Sequence, residues 1–255
     1  MNNCSLFCLC GNNALVTGAA GGIGTATANN LAKQGANLVL VDIREEELNK
    51  VANDIRSKYN NKIETILCDL SKGNEVKNLF NKALEKVEKI DILVNNAGLF
   101  KKDDWNTGTD ESYFSLAMKI NFESQFILCQ EASKHMATNK YGRIVNVASI
   151  GAYCGGIKYA SYCASKSAIL GLTKSLALEY AKSGVTLNAV APGIIDTPMV
   201  NILSAEEKDY FKNTIPLGRL GKPQDIANAI TFLCTKESEY ITGSIVHVNG
   251  GMVMY

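Results

Sequence analysis

The sequence lacks a long apolar run. No segment approaches the length needed to span a bilayer as a helix, so no membrane association is expected. An excess of one charge is also missing. Lys+Arg total 26 and Asp+Glu total 25, a formal net charge of +1, whereas a nucleic acid or an anionic surface calls for a basic excess. Arginine is scarce: Arg44, Arg56, Arg143 and Arg219 are the only four, which weakens any case for reading bases or phosphates. Neither nucleic acid nor membrane is therefore expected as a partner. The first ten residues carry no basic segment, and their apolar stretch is too short for a signal peptide. Proline is limited to Pro192, Pro198, Pro216 and Pro223, which marks one late stretch as irregular. No repeat, low-complexity tract or Gly/Ser-rich linker divides the chain. Eight cysteines are spread along it, and only Cys4, Cys8 and Cys10 cluster. Three thiols without a nearby fourth ligand make a poor metal site; no metal is expected, and the thiols read as free in a reducing cytoplasm.

What is present is globular. Hydrophobic residues are 46% and charged residues 20% of 255, enough for one sizeable domain and too few for two enzyme domains in series. Short β-branched runs at Ala14–Thr17, Asn37–Val41, Ile63–Leu67, Ile90–Val94, Gly142–Val147, Thr186–Val190 and Ile245–Val248 read as strands. Amphipathic patterns at Ile23–Lys33, Glu45–Ser57, Asn74–Val87, Glu111–Ala137, Tyr159–Lys182 and Pro223–Leu233 alternate with them. This alternation predicts an α/β fold: a single doubly wound Rossmann-type domain over residues 1–255, with a seven-stranded parallel sheet covered by helices on both faces. Residues 1–11 read as an N-terminal extension.

The first strand runs into Thr17-Gly18-Ala19-Ala20-Gly21-Gly22-Ile23-Gly24 and then a helix. Glycines at such a junction let the backbone approach a pyrophosphate, whose charge a helix N-terminus stabilises. The same glycines also suit a tight turn with close helix–sheet packing. Asp42 closes the next strand about twenty residues on, where an acid meets the adenosine ribose, and this favours the dinucleotide reading. A carboxylate at Asp42 and the neighbouring Ile43 accommodates the ribose hydroxyls of NAD and repels the 2′-phosphate of NADP. Gly21 supplies no side chain to meet such a phosphate. Arg44 is the one basic residue nearby, either a partner for that phosphate or a solvated residue among Glu45–Glu47. NAD is therefore expected in preference to NADP. Asp69-Leu70, after the third strand, suits the adenine edge or a turn and helix cap. Asn95-Asn96-Ala97-Gly98, after the fourth, suits a cofactor channel or a turn.

A second constellation is Ser149 with Tyr162-Cys163-Ala164-Ser165-Lys166. Tyr162 and Lys166, four apart, project from one face of a helix. An ammonium beside a phenol favours the phenolate, which suits Tyr162 to proton transfer. Ser149 can donate a hydrogen bond to the same reacting oxygen. A Tyr-xxx-Lys pair alone is common on helix surfaces; here it shares a domain with the nucleotide signature.

Over nearly its whole length the sequence resembles the short-chain dehydrogenase/reductase family: Thr17–Gly24 matches its cofactor motif, Asn95–Gly98 its structural motif and Tyr162–Lys166 its active-site motif. The resemblance implies that Asn121 completes a catalytic tetrad with Ser149, Tyr162 and Lys166, holding a water in a proton relay through Lys166 and the ribose. It further implies that Pro192-Gly193, Ile195 and Thr197 contact the nicotinamide carboxamide. The nucleotide contacts expected on all these grounds are Gly18, Gly21, Gly22, Ile23, Gly24, Asp42, Ile43, Asp69, Leu70, Asn96, Ala97, Gly98, Tyr162, Lys166, Pro192, Gly193, Ile195 and Thr197.

Val190–Gly193, Ile215–Gly221, Tyr240–Gly243 and His247–Met252 look most like the family's 3-oxoacyl-acyl-carrier-protein reductases. Two features depart from that pattern. Gly21 stands where those enzymes carry an arginine, and only Lys140 and Lys182 mark their basic docking surface. The resemblance thus implies an NAD-linked exchange of ketone and secondary alcohol on a thioester, with sugars, polyols and steroids as alternatives. A catalytically silent nucleotide sensor or scaffold is the reading from another class, and the presence of Ser149, Tyr162 and Lys166 argues against it. The segment from Ile194 to Leu220, with Met199, Ile202, Leu203, Tyr210 and Phe211, is expected to form either an apolar substrate lid or a packed helix pair. Tyr153, Cys154 and Tyr159 are expected on the opposite wall. The family also implies a homotetramer, with the Tyr159–Lys182 helix packed against its counterpart.

Overall fold

A computed structural model describes residues 6–103 and 111–254; Cys4 and the side chain of Ile202 lie outside what is described. In chain order the elements are β1 (Asn13–Thr17), α1 (Gly22–Lys33), β2 (Asn37–Asp42), α2 (Glu45–Lys58), β3 (Ile63–Leu67), α3 (Gly73–Val87) and β4 (Ile92–Asn95). There follow α4 (Glu111–Met118), a π-helical turn (Lys119–Glu123), α5 (Ser124–Thr138), β5 (Gly142–Val147), α6 (Gly151–Cys154), α7 (Ala160–Tyr180) and β6 (Val185–Pro192). A 3₁₀ turn (Pro198–Ile202), α8 (Ala205–Thr214), α9 (Pro223–Cys234) and β7 (Ile245–Val248) complete the fold.

The seven strands form one sheet in the order β3-β2-β1-β4-β5-β6-β7, and every neighbouring pair is parallel. The expected sheet is thus observed. Its strands are near-continuous apolar runs because both faces are covered. Val16, Leu40 and Val94 face one way and pack against Leu31 of α1, Ile55 of α2 and Ile230 of α9. Leu15, Val41 and Leu93 face the other way, against Phe80 of α3, Leu128 and Met136 of α5, and Ala177 of α7. Helix ends follow the local chemistry. Glu45–Glu47 open α2 and Arg56 and Lys58 close it, matching the helix dipole; Pro223 starts α9, where a missing N–H costs nothing. No helix among the described residues is long and apolar enough to cross a membrane.

Two expectations are corrected. The pattern Glu111–Ala137 is not one helix but α4 and α5 joined through the π-helical turn, which carries Asn121 inward. From Ile194 to Leu220 the packed helix pair does not form, since the stretch holds one 3₁₀ turn and one α-helix, α8. Its 3₁₀ turn and α8 are short, and α8 buries none of its residues.

Sheet order reverses direction between β1 and β4. At such a switch point the loops leave the two strands in opposite directions and open a crevice at the carboxyl ends. The turns after β1 and β4, which carry Gly18–Gly24 and Asn96–Gly98, flank that crevice.

Candidate active site

The crevice begins where the turn after β1 meets the turn after β4. The Thr17 hydroxyl accepts hydrogen bonds from the backbone N–H groups of Asn96 (3.0 Å) and Ala97 (3.1 Å). Asn96 Nδ2 in turn donates to the carbonyls of Thr17 and Gly18, both at 3.0 Å. Such close approach requires glycine. Gly18 has φ of +63° and a Cβ there would stand 2.8 Å from Ala97 Cα, while a Cβ on Gly24 would collide with the Gly18 carbonyl. Gly21 caps α1 without a side chain, and the first turn of α1 holds no acid, so nothing in its sequence competes with an anion for the N–H groups there. Gly22 faces Thr197, whose Cγ2 would lie 2.8 Å from a Cβ on that glycine. A bare backbone, an uncapped helix start and a threonine across the gap suit a pyrophosphate-bearing nucleotide.

Asp42, at the end of β2, is buried and already engaged. Its carboxylate accepts from Ala20 N (3.0 Å), Arg44 N (3.1 Å) and Arg44 Nε (3.1 Å). Arg44 is therefore paired rather than standing free among the glutamates. Its guanidinium folds back onto Asp42 while remaining 50% exposed, and its Nη2 would be 4.0 Å from a Cβ on Gly21. Ile43 projects into solvent.

The chemical groups gather around Gly98. Asn121 clamps Leu99: its Oδ1 accepts from Leu99 N (2.6 Å) and its Nδ2 donates to Leu99 O (3.0 Å) and Ser165 Oγ (2.9 Å). Both amide donors are spent on protein, so the Asn121 side chain cannot donate to a water. A Cβ on Gly98 would stand 3.4 Å from Lys166 Nζ and 3.5 Å from Asn121 Oδ1; glycine keeps these two groups facing each other across a small space. Lys166 Nζ donates to Val147 O at 2.7 Å and lies 6.0 Å from the Tyr162 ring centroid. The Ser149 hydroxyl lies beside the Tyr162 phenol, whose pKa it draws down, and accepts from Gly151 N at 3.1 Å.

Burial governs the charges here. It lowers the Lys166 pKa to about 8 and raises that of Tyr162 to about 12, partly offset by the Ser149 hydroxyl. The expected depression of the phenol by the ammonium is corrected accordingly. Desolvation disfavours the charged form of each and is the largest cause of both shifts.

The other candidates vary. Asp69 accepts from Ser71 N and Oγ (3.0 and 2.7 Å) and pairs with Lys72 (3.7 Å), so it acts at least as a turn anchor; its carboxyl is held below the usual range, chiefly by Ser71. Leu70 packs against the α3 side of the core. Pro192 ends β6 and Gly193 N bonds Val248 O at 3.0 Å. The Ile195 side chain is buried in the α1/α9 core, which leaves only its backbone to face a ligand. Cys154 is exposed, and burial pushes the Cys163 thiol up, away from nucleophilic use. Tyr159 does reach the site, stacked at 4.7 Å on Phe100; Tyr153 packs instead on His247.

Phe100 is the residue that pattern reading missed. It follows the Asn-Asn-Ala-Gly turn in a stretch without periodicity, and its ring meets Tyr162 edge-on with centroids 4.8 Å apart.

The chain is similar to known proteins over nearly its whole length. A family model described as enoyl-(acyl carrier protein) reductase matches residues 18–253. The 3-oxoacyl-(acyl-carrier-protein) reductase FabG of Rickettsia bellii is 45% identical over 246 residues, covering 96% of this chain and 98% of that one. Among solved structures, a 7α-hydroxysteroid dehydrogenase complexed with NADH and 7-oxo glycochenodeoxycholic acid superposes with a TM-score of 0.92 at 33% identity, covering 98% and 97% of the two chains. A Beutenbergia cavernae protein described as an NAD(P)-dependent gluconate 5-dehydrogenase, with bound NADP, also gives 0.92 at 31% identity, covering 97% and 99%.

The Asn121 clamp is directly testable. Asn121→Leu keeps the volume and strands the Leu99 backbone and the Ser165 hydroxyl, so it should lower unfolding stability by about 1–3 kcal/mol. A urea midpoint equal to that of the wild type would show that the clamp contributes nothing.

Proposed function

Because this chain belongs to the short-chain dehydrogenase/reductase family and is an NAD(P)-dependent oxidoreductase, we propose that it reduces the ketone of a 3-oxoacyl thioester to a secondary alcohol, with NADH preferred and Tyr162 as proton donor. The observation that carries the reading is the buried Lys166, 6.0 Å from the Tyr162 ring centroid and facing Gly98 of the turn after β4, with the Ser149 hydroxyl beside the phenol. Two neighbouring hydroxyls suit a carbonyl oxygen that gains negative charge. When bound, the nicotinamide supplies the hydride to the carbonyl carbon. Ser149 then holds the developing alkoxide, and Tyr162 Oη passes it a proton. Burial keeps the phenol protonated in the resting site, so the proton that reduction consumes is in place when the carbonyl arrives. The Lys166 ammonium stabilises the phenolate left behind, and Asn121 fixes the Leu99 turn beside it. Likeness to the Rickettsia reductase supports the thioester, while the steroid and gluconate dehydrogenases of the same fold mark the alternatives.

NADH preference rests on Asp42. A 2′-phosphate brought to the ribose site would meet this buried carboxylate, and the charge of Arg44 is already committed to it. Assembly as a homotetramer is supported by apolar side chains left in solvent: Phe114 on α4, Phe126 on α5 and Leu178 on α7, the last 84% exposed.

Acetoacetyl thioester reduction, followed by NADH absorbance beside a panel of ketones, sugars and steroids, tests the activity. Tyr162→Phe should cost about 10²–10⁴ in turnover while NADH still binds; survival of the rate removes Tyr162 from proton transfer. In the wild type, kcat/KM for reduction should be level up to about pH 8 and fall above it, because Lys166 loses its proton there while Tyr162 keeps its own. Lys166→Met should be slow and show no such fall. A wild-type profile level through pH 8–10 contradicts the role given to the ammonium.

Cofactor choice and assembly have separate tests. Asp42→Ala should free Arg44 and raise kcat/KM with NADPH relative to NADH by about tenfold or more, on the order of one unscreened charge contact; Arg44→Ala should widen the preference for NADH. Unchanged ratios in both variants would put the selection elsewhere. A light-scattering mass of four protomers is expected, and a mass of one would exclude the tetramer.

A further inference from the structure

Residues Leu99–Asp103 are held at every second position. Asn121 clamps Leu99 through both its N–H and its carbonyl. The Tyr113 hydroxyl does the same for Lys101, accepting from its N–H at 2.9 Å and donating to its carbonyl at 3.1 Å. Asp103 donates its N–H to Lys158 O at 2.8 Å, and its buried carboxylate accepts from Ser161 N at 2.8 Å, in the first turn of α7. The two residues between these anchors turn toward the site. Phe100 stacks on Tyr159, nearly parallel (19°) at 4.7 Å, and meets Tyr162 edge-on at 4.8 Å. Lys102 Nζ pairs with Glu207 Oε1 at 3.0 Å. Glu207 also closes the capping box of α8 with Ser204, so this contact ties the otherwise unburied α8 to the strip.

We propose that Phe100 is a specificity-determining residue, a fixed aromatic wall beside the phenol that admits a slender apolar chain next to the reacting carbonyl and turns away polyols and bulky fused or branched groups. The inference rests on Tyr162 being the group that meets the carbonyl. Three backbone anchors keep the wall from retreating, so a substrate that needs its volume is refused rather than accommodated. A phenyl ring offers no hydrogen-bond partner, so hydroxyls buried against it lose their water without replacement. An unbranched acyl chain has neither difficulty.

The test compares kcat/KM for an unbranched ketone with that for a fused-ring ketone and a polyol, in wild type, Phe100→Ala and Phe100→Leu. Phe100→Ala should move the ratio toward the fused-ring ketone by about tenfold or more, with Phe100→Leu between the two and NADH affinity unaltered. Where turnover is slow, the same ratio is read as ketone affinity from the fluorescence of bound NADH. A ratio that stays fixed overturns the proposal, and so does a parallel fall of all substrates, which would reduce Phe100 to a support for Tyr162. A wild type that prefers polyols to unbranched ketones overturns it as well. If the thioester alone is inert while the ratio shifts as expected, the thioester reading fails and the wall stands.

Discussion

The close contact between the turns after β1 and β4 is the constraint from which the site follows. Asn96 bonds two carbonyls of the glycine turn while Thr17 receives two N–H groups in return, so neither turn can shift without the other. That stitching sets the position of Gly98, and Gly98 sets the gap between Lys166 and Asn121. It also aims the chain onward into Leu99 and Phe100. One end of the crevice is thereby bare backbone suited to phosphate and the other a set of polar side chains, because both descend from the same two turns.

The second determinant is desolvation. Lys166 and Tyr162 share α7 and each pays for leaving water, in opposite directions on the pH scale. An ammonium near a phenol favours the phenolate, but with Lys166 bonded to the Val147 carbonyl desolvation outweighs that pull in the resting site. The result is a proton held firmly on Tyr162 until charge develops next to it. Phe100, backed by Tyr159, adds to this by setting carbon against the ring. Substrate selection and proton affinity are consequently not independent, since the aromatic side chain that shapes the pocket also removes water from the donor.

Much of this could be read from the sequence, for physical reasons that also explain the failures. Strands buried on both faces announce themselves as β-branched runs, and the glycines and Asp42 sit at fixed offsets from them. Tyr162 and Lys166 fall on one helical face by spacing alone. Asn121 does not: an uninterrupted apolar pattern runs through Glu111–Ala137, and the extra residue that makes the π turn leaves no mark on periodicity. Only resemblance singled it out. The Asp42–Arg44 pair was hidden because a side chain's preference between solvent and a neighbouring carboxylate depends on geometry beyond the sequence. Phe100, Lys102 and Asp103 were invisible for the same reason, as their partners Tyr159, Glu207 and Ser161 are remote in the chain.

These hidden contacts share a feature that bears on how such a fold is diversified. Core and cofactor edge rely on backbone closeness and on apolar volume, where most changes are costly. The Leu99–Asp103 strip takes its shape from side chains that grip its backbone at Asn121 and Tyr113, and through Asp103 from the first turn of α7. Its even-numbered side chains grip other groups, Phe100 the two tyrosine rings and Lys102 Glu207, and not the strip's own backbone. Phe100 and Lys102 are therefore free to vary while the strip, and the phenol beside it, stay in place. A site built this way can change what it admits without moving the atoms that react.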